Sequence, residues 1–213
     1  MKNIKYLLAL VMTASIVACS SDNEQDKPTP PEKPSYKVGD LYDRNGITGV
    51  VYYLNNEEGT SGYVVSLKEW EAAWSEEYIE TGAMRLSLGE GMINNNIIKR
   101  LDNWKLRFPA FSRCNTLNSG LVTTWILPSS AELQWIGLSL CTDGEIDQAK
   151  LEAFNKTLTD AGGDPISLTN YWSSSEFSAS QAYPINLAKP NADSDYYETG
   201  KEKKHKVRAV TVF

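Results

Sequence analysis

The spacing of apolar residues changes period twice along this chain, and those two changes restrict its fold more than any other feature. Gly49-Val50-Val51-Tyr52-Tyr53-Leu54 and Tyr63-Val64-Val65-Ser66-Leu67 are rich in β-branched and aromatic residues, which suit a pleated, half-buried surface. Between them Asn55 to Gly62 is a polar, glycine-containing loop, so the two runs read as a hairpin. Tyr36 to Asp40 reads as a first strand that leads into it through a turn signal at Asp43-Arg44-Asn45-Gly46. From Asn94 to Leu106 the spacing becomes helical, with Ile97, Ile98, Leu101 and Trp104 on one stripe, until Pro109 interrupts it. A second segment carries Phe111, Cys114 and Leu117. Ser129-Ser130-Ala131-Glu132 is a capping box, in which each end residue satisfies the other's backbone N–H, and Leu133, Trp135, Ile136 and Leu140 follow it. Another helix starts near Asp147, places Leu151, Phe154 and Leu158 on one stripe, and stops at Gly162-Gly163. Tyr171 to Ser175, Ala182 to Leu187 and Val207 to Phe213 return to the strand pattern, with a polar connection over Lys189 to Lys206. Strands, then helices, then strands predict an α+β domain whose last strand rejoins the sheet begun near Tyr36.

The first 18 residues have a different character. Lys2 and Lys5 precede an apolar run from Tyr6 to Val17, the length of a cleavable signal and short of the roughly 20 residues a spanning helix needs. Ile16-Val17-Ala18-Cys19 resembles the bacterial lipobox, which predicts a diacylated Cys19 at the start of the mature chain. Residues 19–35 are polar and carry Pro28, Pro30, Pro31 and Pro34, and such a composition makes an extended tether. The acidic run beside Cys19 resembles the surface-export signals of some Gram-negative lipoproteins, so an outer-membrane, surface-exposed protein is expected, held by lipid alone.

Residues 36–213 hold enough apolar area for one domain without stapling. Without Lys2 and Lys5 the chain has 19 basic against 27 acidic residues, a balance of −8 that argues against a nucleic-acid partner. Cys114 and Cys141 remain once Cys19 is acylated, and the sequence leaves open a disulfide or two buried thiols.

Three separated motifs, Trp125-Ile126-Leu127-Pro128-Ser129-Ser130-Ala131-Glu132-Leu133, Tyr171-Trp172-Ser173-Ser174-Ser175-Glu176 and Val207-Arg208-Ala209-Val210, together resemble the Lcl C-terminal domain family, also called the Fibrobacter major paralogous domain family. Val38-Gly39-Asp40 and the two hairpin strands fit its opening, so the resemblance extends over nearly all of Tyr36 to Phe213. It implies a C-type-lectin-like α+β fold, related to the formylglycine-generating enzymes, with an N-terminal hairpin, central helices and C-terminal strands closing the sheet. Trp125, Pro128, Ser129, Glu132, Trp172, Ser173 and Arg208 are read as residues that hold this fold, with Arg208 pairing a carboxylate such as Glu132.

Chemistry is harder to find. An oxidase of the formylglycine-generating kind needs a late pair of cysteines, and no cysteine follows Cys141. Lys189-Pro190-Asn191-Ala192-Asp193-Ser194-Asp195 only approaches the calcium loop of C-type lectins, because Lys189 stands where an acid is needed. One His and two remaining Cys do not make a zinc site. His205 lies in a charged run with no nucleophile elbow elsewhere. No enzyme, metal or cofactor is therefore expected. Tyr196 and Tyr197 beside Lys201, Lys203, Lys204 and Lys206 form the candidate binding surface, where aromatic rings and lysines suit an anionic glycan or an acidic protein. The leading expectation is a surface-tethered recognition or adhesion module; the alternatives are a structural or accessory subunit of an assembly such as a fimbria, and a hydrolase.

Overall fold

The structure, a computed structural model, describes residues 33–190 and 198–213. In chain order it runs β1 (Leu41–Arg44), β2 (Ile47–Leu54), β3 (Gly62–Ala73), α1 (Gly91–Lys99), α2 (Trp104–Arg107), α3 (Pro109–Asn115), α4 (Ser130–Ser139), β4 (Cys141–Thr142), β5 (Glu145–Ile146), α5 (Gln148–Asp160), β6 (Asn170–Glu176), β7 (Gln181–Asn186), β8 (Thr199–Gly200) and β9 (Lys204–Val212). Cys19, Tyr196, Tyr197 and the Asn191 to Asp195 run lie outside the described residues. Among those described, no helix is long and apolar enough to cross a membrane.

The domain is α+β, built on a seven-stranded sheet in the order β1-β2-β3-β9-β6-β7-β8. All its pairings are antiparallel except β6 with β9. The last strand thus closes the sheet from its middle, between β3 and β6. Consecutive residues on a strand face opposite ways, and consecutive residues here feed separate cores. Val51, Val64, Val207 and Trp172 pack with Ile98, Phe108, Phe111 and Cys114, whereas Val50, Val65, Val210 and Tyr171 pack with Leu133, Ile136, Phe154 and Leu158. Helices α1 to α3 therefore cover one face and α4 and α5 the other, which is why β6 is buried almost without interruption.

The turn at Asn45-Gly46 follows from residue type. Both residues have positive φ, 55° and 77°, as a two-residue turn between twisted strands requires, and Asn and Gly tolerate it best. Pro184 within β7 is tolerated because β8 pairs only with Gln181 and Ala182, so among the described residues the strand is an edge at the proline.

Two expectations need correction. The helix expected over Asn94 to Leu106 is broken: α1 ends at Lys99 and α2 starts after Asn103, whose φ of 53° is left-handed. The apolar stripe continues because Ile97, Leu101 and Trp104 still pack against the same core on either side of the break. Tyr36 to Asp40 forms a turn rather than a strand, held by Gly39 N–H donating to Val51 O at 2.8 Å, and the first strand begins one residue later.

Candidate functional site

The lysine-rich surface expected from the sequence divides. Lys201 is wholly buried, so its place in a ligand-binding surface is withdrawn. Its Nζ lies 2.5 Å from Glu176 Oε1, donates to the carbonyls of Ile79 at 2.9 Å and Ala179 at 3.0 Å, and sits 4.5 Å above the Trp74 ring. Burial lowers the ammonium's pKa, and Glu176 opposes that shift. Lys206 is also engaged, 2.9 Å from Glu69, which raises its pKa. Lys203 and Lys204 are exposed, with no ion pair among the described residues.

Each of the seven motif residues is buried. Ser129 and Glu132 form the capping box of α4: Ser129 N–H donates to Glu132 Oε2 at 2.8 Å, and Glu132 N–H to Ser129 Oγ at 3.3 Å. The other carboxylate oxygen accepts from Gly89 N–H at 3.0 Å and Gly91 N–H at 3.4 Å. A β-carbon at Gly91 would collide with this carboxylate, so glycine is needed there. Burial raises the Glu132 pKa against the pull of these donors. With both oxygens taken, Glu132 does not meet Arg208, and the expected pairing is corrected.

Arg208 instead fills a bulge in β3. The register between β3 and β9 shifts between Val65 and Glu69, which frees backbone groups that the ladder would otherwise satisfy. Arg208 donates to Ser66 O at 3.0 Å, Asp164 O at 2.8 Å, Pro165 O at 3.1 Å and Glu69 Oε2 at 3.3 Å. Asp164 completes the repair by accepting from Glu69 N–H at 3.0 Å. Tyr171 donates its hydroxyl to the same Glu69 carboxylate. Pro128 O accepts from Ser174 N–H at 2.7 Å, and the Ser130 and Ser173 hydroxyls lie 3.1 Å apart, so the two serine-rich motifs interlock, while Ser173 Oγ also donates to Tyr183 O at 2.6 Å. Trp125 and Trp172 belong to the core packed beneath α1 and α3.

Cys114 and Cys141 are both free and buried. The Cys141 thiol donates to Gly137 O at 3.4 Å, and Cys114 packs with Ile98 and Phe111. No group of three or more potential metal ligands comes together among the described residues.

What the structure offers as a site is a cleft of about 540 Å³ between β2, α4 and α5. It is lined in part by Tyr53, Trp135, Leu138, Asp40, Lys150 and Thr157. The Tyr53 and Trp135 rings lie 4.7 Å apart at 56°. Trp135 carries a signal that the sequence did contain. Leu133, Ile136 and Leu140 share a buried stripe, and Trp135 falls off that stripe with 38% of its surface exposed.

The chain shares a fold with a fimbrial protein. Over 84% of its length it matches the crystal structure, at 1.85 Å resolution, of a fimbrial protein from Bacteroides ovatus ATCC 8483, with a TM-score of 0.58 and 16% identity. It spans about half of that protein, 49% of its chain, and at this identity the likeness is one of fold. No known family's sequence profile matches the chain. No curated protein matches it either. The share of this chain covered takes in most of the sheet and helices described above, so the resemblance concerns the domain's architecture and not a single hairpin.

Proposed function

We propose that this protein is a non-enzymatic subunit or accessory component of a cell-surface assembly of the fimbrial kind, carried as an outer-membrane lipoprotein through Cys19 and facing outward. The observation that supports this most is the likeness in fold to the Bacteroides ovatus fimbrial protein over 84% of the chain. The Ile16-Val17-Ala18-Cys19 sequence and the polar, proline-rich segment after it add a means of display, a lipid at the membrane and a spacer between it and the domain. The C-type-lectin-like topology implied by the Lcl resemblance is part of the same reading: a rigid head whose fold serves contact with other molecules.

The test has two arms. Cells fed alkyne-palmitate label the wild-type protein, and Cys19→Ala abolishes the label. In cross-linked envelopes the wild-type chain is recovered with a surface-appendage subunit, and its deletion alters the appendages seen by electron microscopy. A monomer that recovers no envelope partner, from cells whose appendages are unchanged by the deletion, refutes the assembly role.

A further inference from the structure

The cleft between β2, α4 and α5 has two unlike walls. On one, the exposed Trp135 indole stands against Tyr53, with Leu54 and Leu138 beside the pair. On the other, α5 brings Lys150, Ala153 and Thr157, while Asp40 reaches the cleft from the turn before β1. Buried Phe154 and Tyr52 line it as well, and the Tyr52 hydroxyl has no hydrogen-bond partner among the described residues. Its volume of about 540 Å³ falls inside the span of small-ligand sites, roughly 300 to 1,000 Å³.

We propose that this cleft binds a saccharide, with one pyranose ring laid against the Trp135 and Tyr53 pair. One face of such a ring is a patch of C–H bonds bearing slight positive charge, which suits the negative face of an aromatic ring. Its hydroxyls project around the edge and need hydrogen bonds there. Asp40 and Lys150 supply them. Asp40 uses one oxygen to accept from Lys37 N–H at 2.7 Å, leaving the other carboxylate oxygen for a hydroxyl. Lys150 donates to Cys141 O at 2.5 Å, and an ammonium with three N–H groups keeps two more. Neither charge has an ion-pair partner among the described residues. A wholly apolar occupant would strip water from both charges and return no hydrogen bond, which is costly. A molecule with an apolar face and a polar rim avoids that cost.

The site is built on rigid parts. The capping box fixes the start of α4, and Leu133 and Ile136 anchor that helix in the core beneath Trp135. Tyr53 pairs with Tyr63 in the ladder between β2 and β3. Aromatic groups held in this way lose little freedom when a ligand docks. The exposed lysines are elsewhere: Lys204 pairs with Ala73, at the opposite end of β3 from Tyr63. Saccharide binding by this cleft is independent of the assembly role and is measured without it.

Purified protein is titrated with maltose, cellobiose, lactose and chitobiose while amide shifts are followed by NMR, and is applied in parallel to an oligosaccharide array. At least one saccharide binds, and the shifts cluster on residues of β2, α4 and α5. Trp135→Ala weakens that binding by about tenfold or more, the loss of one aromatic anchor. Ala153→Trp, which fills the cleft from the opposite wall at an exposed position, weakens it as much. The Lys203→Glu/Lys204→Glu variant binds like wild type. Failure of every titrated and arrayed saccharide to bind, or binding retained by either cleft variant with circular dichroism unchanged, overturns the proposal.

Discussion

Replacing Lys201 by Met removes a charge from the centre of the fold while keeping most of the side chain's volume over Trp74. The loss can be worked out from the contacts. The Lys201 ammonium bonds Glu176 at 2.5 Å and two carbonyls, those of Ile79 and Ala179, and both ion-pair partners are fully buried. Glu176 would keep Thr81 N–H and Gly82 N–H at 2.9 and 2.7 Å and the Thr81 hydroxyl at 3.0 Å, but these neutral donors do not cancel its charge. Breaking a buried pair on one side costs about 3–5 kcal/mol, because the other charge stays buried without its counterion. For a domain of this size each kcal/mol moves the melting point by about 2–4 °C, so Lys201→Met should melt about 6–20 °C lower. Glu176→Gln should lose a similar amount. The double variant Lys201→Met/Glu176→Gln should recover much of the loss, since it leaves no uncompensated charge. Thermal melts by circular dichroism and urea titrations by tryptophan fluorescence measure all three. If Lys201→Met lies within about 1 kcal/mol of wild type, the pair behaves as a solvated surface contact and the burial argument fails.

Three other outcomes follow from the same structure. Burial lowers the His205 pKa below its ordinary value of 6.5, with Glu71 opposing the shift, and Nε2 has no hydrogen-bond partner among the described residues. The folded state therefore resists protonation, so the contribution to stability is full above pH 6.5 and is lost as pH falls through the lower folded value. Melting curves between neutral and mildly acidic pH should fall less steeply for His205→Phe than for wild type; equal slopes would refute the assignment. Arg208→Lys keeps the charge but not the planar fork that reaches four acceptors, so at least one buried carbonyl goes unpaired at a cost of about 1–3 kcal/mol, with faster amide exchange in the segment from Asp164 to Ser167. A chain carrying Cys19→Ser should show no reactive thiol toward Ellman's reagent when native and two when unfolded, because burial raises both thiol pKa values and no disulfide joins them. Two silent thiols after unfolding without reductant would mean that Cys114 and Cys141 are bridged.

The parts of this fold that the sequence displays are those fixed by near neighbours. The β2 strand, the start of β3, the capping box at Ser129 and the stop at Gly162 each depend on a few adjacent residues and stand where local chemistry puts them, whereas β3 runs on past the expected end at Leu67 to Ala73, where it pairs with β9 from the far end of the chain. The break at Asn103 is harder to see for the same reason. Leu101 and Trp104 keep a helical spacing because both sides of the kink face one core, so periodicity alone reads straight through it.

Side chains whose roles depend on distant partners are not legible in this way. Lys201 and Lys203 are the same residue type two places apart, yet one is sealed in the interior and the other faces water. The difference is decided by Glu176, 25 residues earlier, and by the carbonyls of Ile79 and Ala179, which the fold brings to it from 122 and 22 residues away. Arg208 follows the same rule. The motif carboxylate expected to meet it, Glu132, is already saturated by the backbone N–H groups of Gly89, Gly91 and Ser129, and the guanidinium instead meets Glu69 and the carbonyls exposed by the β3 bulge. A bulge is a defect in pairing between strands far apart in sequence, and the arginine that repairs it carries no mark of that task beyond its burial in a strand of valines and alanine. Trp135 is the opposite case. It lies off the buried stripe of its own helix, packed against the Tyr53 ring and partly open to water, and that offset, legible in the order of the amino acids, places it on the cleft.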